Sequence, residues 1–97
     1  MPATLHVLAR FVTKPGKEEA VKAALNALVA PARRDIGCYQ YDLLVDSSDI
    51  RQLCVVERWG DVRAFDRHLE TAQVKSALEQ IDGLLDGPPE IRRYTLV

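Results

Sequence analysis

Residues 53–69 read Leu-Cys-Val-Val-Glu-Arg-Trp-Gly-Asp-Val-Arg-Ala-Phe-Asp-Arg-His-Leu. The run begins apolar and β-branched, breaks at Gly60-Asp61, and resumes with apolar residues at helical spacing, so it describes a strand feeding directly into a helix. Two elements joined by so short a link pack on each other, and their few polar groups come toward one cleft. The strand ends on Glu57 and Trp59, the single tryptophan, and the helix carries His68, one of two histidines. The functional site is expected here.

Working upstream, residues 38–45 are rich in tyrosine and aliphatics and form a second strand. Asp46-Ser47-Ser48-Asp49 is a turn by composition. So short a link makes an antiparallel hairpin with residues 52–59. A turn centred near Ser48-Asp49 sets Tyr41 opposite Val56 and Gln40 opposite Glu57. In that register Tyr39 and Tyr41 share one face and Trp59 points to the other, so only one of these sets enters the cleft. Cys38 and Cys54 do not meet, and no disulfide is expected.

The remaining elements follow from periodicity. Residues 4–13 alternate, with Leu5, Val7, Ala9 and Phe11 on one face of a strand. Lys14-Pro15-Gly16 ends it. Val21, Ala24, Leu25, Leu28, Val29 and Ala32 then recur at helical intervals. Glu18 and Glu19 at the start and Arg33 and Arg34 near the end suit the helix dipole. Pro31 predicts a kink or stop near residues 29–32. Downstream, Asp61 is an N-cap, and Val62, Phe65 and Leu69 form a buried stripe. Thr71 caps a second helical segment through Val74, Ala77, Leu78, Ile81 and Leu85. Residues 90–97 make a last strand. The order β-α-β-β-α-β is the α+β, ferredoxin-like arrangement with an antiparallel four-stranded sheet, in a single domain over residues 1–97.

The composition is 47% hydrophobic and 28% charged with a net charge of −1, which is that of a soluble globular domain. There is no basic stripe for nucleic acid or acidic membranes. No apolar run approaches the roughly 20 residues of a membrane helix. No basic-then-apolar leader opens the chain, so a cytoplasmic location is expected. The two cysteines lack CxxC spacing and are expected to be buried free thiols. Two separated histidines make no metal cluster, and no Gly-rich strand–helix turn supports flavin or nicotinamide. No cofactor is expected.

Lys-Pro-Gly-Lys-Glu-Glu at 14–19, Gly-Cys-Tyr-Gln-Tyr at 37–41, Glu-Arg-Trp at 57–59, His68-Leu69 and the ending Arg-Arg-Tyr-Thr-Leu-Val together resemble the antibiotic biosynthesis monooxygenase domain. The likeness is strongest to its small quinol-monooxygenase-like members and covers nearly the whole chain in the same element order. The resemblance implies a ferredoxin-like monomer whose sheet joins a second sheet in a homodimeric α/β barrel. Members include cofactor-free oxygenases of quinols and aromatic polyketides, haem-degrading enzymes, an isomerase of a small sugar-derived phosphate, and proteins of unknown activity. The axial histidine of the haem-degrading branch falls here at Leu78, and its first-strand asparagine near Ala9. Both departures argue against haem degradation.

Each candidate residue has two readings. His68 flanks the Val62–Phe65–Leu69 stripe, where an imidazole with a reference pKa near 6.5 can move a proton at neutral pH. The resemblance implies a histidine at this point; the alternative is a half-exposed ring packed on the core edge. Trp59 is a flat wall for an aromatic substrate, or core packing. Glu57 shares the face of Trp59 and needs a partner if buried. That partner is Arg92 or Arg93 in a structural reading, while in a functional one Glu57 orients His68 or the substrate. Tyr41 can hydrogen-bond a quinol oxygen, or simply pack. His6 is a sheet or interface residue.

The leading expectation is a cofactor-independent monooxygenase of a quinol or other hydroxylated aromatic. His68 is its base, Glu57 orients, and Trp59 and Tyr41 line the substrate. The alternatives are a non-oxidative isomerase or lyase of a small carbonyl compound, and a non-catalytic small-molecule binding dimer. The pocket is expected between the sheet and the helices of residues 61–85. A homodimer is expected because both faces of the strands carry apolar residues: Leu8 and Val12 oppose Val7 and Phe11, and Cys54 and Val56 oppose Leu53 and Val55.

Overall fold

The computed structural model describes residues 3–97, so residues 1 and 2 of the expected single domain lie outside the described residues. The elements run β1 (Leu5–Val12), α1 (Glu18–Asn26), α2 (Val29–Arg33), β2 (Cys38–Asp46), β3 (Asp49–Trp59), α3 (Val62–Leu69), α4 (Ala72–Ile81) and β4 (Glu90–Tyr94). The sheet order is β2-β3-β1-β4, and every neighbouring pair is antiparallel. This is the ferredoxin-like order expected, with each helical crossover broken into two segments. None of the described helices is long and apolar enough to cross a membrane.

Both breaks have local causes. Pro31 has no N–H to give the Ala27 carbonyl, and its ring crowds that position. The ladder therefore tightens just upstream, where the Leu28 N–H turns to the Leu25 carbonyl at 3.1 Å. The break comes slightly earlier than the sequence predicts, and Pro31 itself sits in the first turn of α2, where no N–H is needed. The second break is a cap: the Thr71 hydroxyl accepts from the Val74 N–H at 3.3 Å and donates to the His68 carbonyl at 2.8 Å. Asp61 caps α3 by accepting from the Ala64 N–H at 2.9 Å.

One face of the sheet meets the helices. Val7, Val21, Val55, Trp59, Phe65 and Ile81 are the fully buried centre of this core. On the opposite face Leu8, Val12, Cys54 and Val56 are half-buried and Leu44 and Tyr94 exposed, beside charged Arg10, Arg58 and Arg92.

Three expectations are corrected. The hairpin closes through a two-residue loop, Ser47-Ser48, between paired Asp46 and Asp49, and the register puts Tyr41 opposite Glu57 and Gln40 opposite Arg58. A shift of one residue exchanges the faces of a strand, so Tyr41 joins Glu57 and Trp59 on the core side. An irregularity between Cys38 and Gln40 turns Tyr39 out to solvent, against the guanidinium of Arg58. In α3 the buried stripe is Ala64, Phe65 and His68, while Val62 is exposed. Cys38 and Cys54 are free, as expected, but half-buried.

The roll of α3 has a visible cause. Gly37 takes φ +85°, and a Cβ there would lie 2.6 Å from the Ala64 Cβ. The bare glycine lets the loop before β2 close directly on α3. Gly37→Ala combines a left-handed backbone penalty with overpacking, and is expected to destabilise by on the order of 3 kcal/mol. Asp61→Ala, which only removes a cap, is expected to cost about 1 kcal/mol. Urea unfolding of both variants checks the ranking.

Candidate functional site

The site is built from two adjacent elements and one distant loop. β3 ends at Trp59, and alternation puts Val55, Glu57 and Trp59 on its core face. Gly60-Asp61 turns the chain, and about two turns into α3 the His68 side chain comes back over that face. The imidazole is 4% exposed and Glu57 5%.

The His68 ring is enclosed by aromatics. Its centroid is 4.7 Å from Trp59, 5.4 Å from Tyr41 in an edge-on arrangement, and 6.2 Å from Phe65 in a stacked one. Its Nε2 lies 4.0 Å from Glu57 Oε1. Its Nδ1 lies 3.0 Å from Asp35 Oδ2, in the loop between α2 and β2. The Trp59 indole N–H donates to Glu57 Oε1 at 3.0 Å.

Burial pushes the Glu57 carboxyl up to about 7, with the Trp59 hydrogen bond opposing this. Burial also lowers the proton affinity of His68, against the pull of Asp35. Near neutral pH the imidazole is therefore uncharged. The Tyr41 phenol is raised, first by burial and next by the charge of Glu57, so it remains an O–H donor. The arrangement is thus a neutral base, a carboxyl that titrates near neutrality, and a protonated phenol.

These groups border a cavity of about 60 Å³ between the sheet and the helices. Tyr41, Glu57 and His68 supply its polar wall, and Phe11, Leu28, Val55, Phe65 and Val74 are among its apolar lining. Its rim is Leu78 of α4 and Ile91 of β4, 46% and 49% exposed. Ala9 also lines it. Ala9 and Leu78, the positions that the resemblance sets against the haem-degrading branch, are both apolar residues of the cavity lining. Among the described residues no three His, Cys, Asp or Glu side chains gather into a metal-binding cluster.

The structure brings His68, Glu57, Trp59 and Tyr41 together, instead of choosing between Trp59 and Tyr41. It changes three roles. His68 lies within the buried stripe instead of beside it. Trp59 stands behind the cavity as partner to Glu57 and His68, and is not among the cavity-lining residues. Neither arginine reaches Glu57: Arg92 pairs with Glu90 at 2.7 Å, and Arg93 lies over the Phe65 ring and 3.8 Å from Asp66. His6 is half-buried on the other face of the sheet, opposite Arg58 and Tyr94. Asp35 was not legible from the sequence, 33 residues from its partner. One faint signal exists: an acidic residue directly after a helix C-terminus is unfavourable to the dipole and so invites another explanation.

Comparison with known proteins places this geometry in context. The family model described as "Antibiotic biosynthesis monooxygenase" matches residues 4–80. The chain is 33% identical over 88 residues to "Putative monooxygenase Rv0793" of Mycobacterium tuberculosis, spanning 91% of this chain and 86% of that one. It is 30% identical over 83 residues to "Putative monooxygenase YcnE" of Bacillus subtilis, spanning 86% and 87%. The crystal structure of PA3566 from Pseudomonas aeruginosa superposes with a TM-score of 0.93 at 33% identity, covering 100% of this chain and 97% of that one.

The buried carboxyl has a consequence for stability. Glu57 holds its proton more tightly folded than unfolded, so its contribution is present below about pH 4.5 and is lost as pH rises through about 7. A rise from 4.5 to about 7 corresponds to about 3 kcal/mol. Glu57→Gln keeps an acceptor for Trp59 and removes the titration. Between about pH 4 and about pH 8 the stability difference, variant minus wild type, is expected to rise by about 3 kcal/mol in urea unfolding. His68, whose proton affinity is lowered, works in the opposite sense, destabilising as pH falls through the ordinary histidine range.

Proposed function

The chain belongs to the antibiotic biosynthesis monooxygenase family, and on that premise we propose that it is a cofactor-independent monooxygenase of a quinol or other hydroxylated aromatic. The observation that carries this reading is the convergence of His68 Nε2, the Glu57 carboxyl and the Tyr41 phenol on one apolar cavity. An electron-rich ring can supply the electrons for its own oxygenation once its phenol is deprotonated. His68 takes that proton at Nε2. Tyr41 donates to the oxyanion that forms, a contact strengthened by the dry surroundings. Glu57, titrating near neutrality, returns a proton as the oxygen–oxygen bond breaks. One oxygen atom enters the ring and the other leaves as water, so that quinol plus dioxygen gives hydroxyquinone plus water.

The cavity of about 60 Å³ is smaller than the roughly 150 Å³ that accommodates a benzene ring. Substrate entry therefore requires Leu78 and Ile91 to move apart. Both are half exposed and sit on different elements, an edge strand and a helix, so little packing holds them. The same proton-transfer groups also serve a non-oxidative isomerase or lyase, and dependence on oxygen separates the two.

The half-apolar outer face of the sheet supports a homodimer. Covering it recovers roughly 25 cal/mol for each Å² of apolar area, and a two-fold axis closes the assembly with one self-complementary surface.

An oxygen electrode with purified protein and a panel of reduced quinols tests the activity. Uptake above the spontaneous rate is expected, and His68→Gln is expected to lower kcat/KM by on the order of 10²–10⁴-fold. No uptake above background across the panel, or turnover that persists without oxygen, overturns the monooxygenase reading. Sedimentation equilibrium at micromolar concentration is expected to give twice the 10.9 kDa chain mass. A folded species at the single mass removes the dimer.

A further inference from the structure

We propose that Asp35 is the positioning residue for the His68 base: its carboxylate fixes the ring with the proton on Nδ1 and the lone pair of Nε2 directed at the cavity. This rests on the reading of His68 as the base. A carboxylate only accepts hydrogen bonds, so a contact of 3.0 Å between Asp35 Oδ2 and His68 Nδ1 requires the proton on Nδ1. The other nitrogen is then unprotonated, and it is the one facing Glu57 at 4.0 Å.

The loop that carries Asp35 is held at both ends. The Asp35 N–H donates to the Ala32 carbonyl at 3.0 Å, and its own carbonyl accepts from the Cys38 N–H at 3.1 Å. Two residues on, the Gly37 carbonyl accepts from the Gly60 N–H at 2.8 Å, tying the loop to the strand–helix turn. Gly37 rests against Ala64, one turn before His68. The missing Cβ at Gly37 is what lets the carboxylate reach the imidazole. Trp59 and Phe65 pack the ring, so it is not free to turn over.

The two acids beside the imidazole sit in different surroundings. Glu57 is in the core, while Asp35, 27% exposed, borders a surface cleft of about 260 Å³ lined also by Arg34, Arg67 and Thr71. Asp35 and Glu57, with Tyr41 from β2 and Arg34 and Arg67 at the cleft, are the titratable groups around the ring. When Nε2 takes a proton, the buried imidazolium lies between Asp35 and Glu57. Asp35 then offsets part of the burial penalty that lowers the affinity of His68 for protons.

Nitrogen-15 NMR of the histidine rings tests this without substrate. With only two histidines in the chain, His6 is an internal reference. Wild-type His68 is expected to show a protonated Nδ1 and an unprotonated Nε2. Asp35→Asn can offer an amide N–H to Nδ1, and is expected to shift the population toward the Nε2–H form and to lower the titration midpoint of His68. In oxygen uptake the same variant is expected to lower kcat by on the order of 10²–10⁴-fold with KM little changed. A wild-type His68 already protonated on Nε2 at neutral pH overturns the proposal. So do ring shifts that are identical in wild type and Asp35→Asn, whatever happens to turnover. A protein with no oxygenase activity but the expected Asp35-dependent shifts loses the function proposed above and keeps the positioning contact.

Discussion

Glu57 sits on the core face of a central strand, and a carboxylate in that position costs several kcal/mol unless it is paired or protonated. No lysine or arginine lies within ion-pair distance of it among the described residues; its one basic neighbour is His68, at 4.0 Å. A single indole N–H, from Trp59, is its hydrogen-bond donor. Those two contacts are too few to hold the group ionised, and its proton affinity rises toward neutrality. The packing around it follows from that constraint. Trp59 is fully buried, with its N–H on the carboxyl and its rings excluding water from it.

The second half of the constraint is the imidazole. His68 is as buried as the apolar residues around it, and burial favours its neutral form. A neutral imidazole beside a carboxyl that titrates near 7 is a pair able to exchange a proton with a third group. Neither member alone has that property in water, where their reference values lie about two units apart. The local chain arrangement makes the pair possible. β3 delivers Glu57, the Gly60-Asp61 turn reverses direction, and α3 brings His68 back over it, so both acid and base come from one continuous stretch of 17 residues.

Apolar contact holds this arrangement on most sides. Strands β1, β2 and β3 and the helices line the cavity beside the pair, and Leu78 and Ile91 are its exposed lining residues. β4 is an edge strand paired only with β1, and its residues are exposed throughout. Elements of this kind have few buried contacts to lose on opening. The rim at Leu78 and Ile91 is therefore the least packed part of the cavity wall.

The sequence by itself determined the element order, the caps at Asp61 and Thr71, the core face of β1, and the placing of Glu57 and Trp59 on one face of β3 with His68 on the helix that follows. These depend on periodicity, capping chemistry and short connections, all of which are local. Tertiary structure decided which way Tyr41 points, what Glu57 pairs with, and what holds the imidazole. The face of Tyr41 turns on one residue of register, set by the two-residue loop and by an irregularity between Val45 and Asp46 that no composition rule reveals. The arginines of β4 were plausible partners by charge, but the strand lies beyond β1 and directs them to Glu90 and Asp66. Asp35 meets His68 across 33 residues only because Gly37 lacks a side chain and the loop can close on Ala64. A contact of that kind depends on the approach of two backbones, which spacing along the chain does not encode.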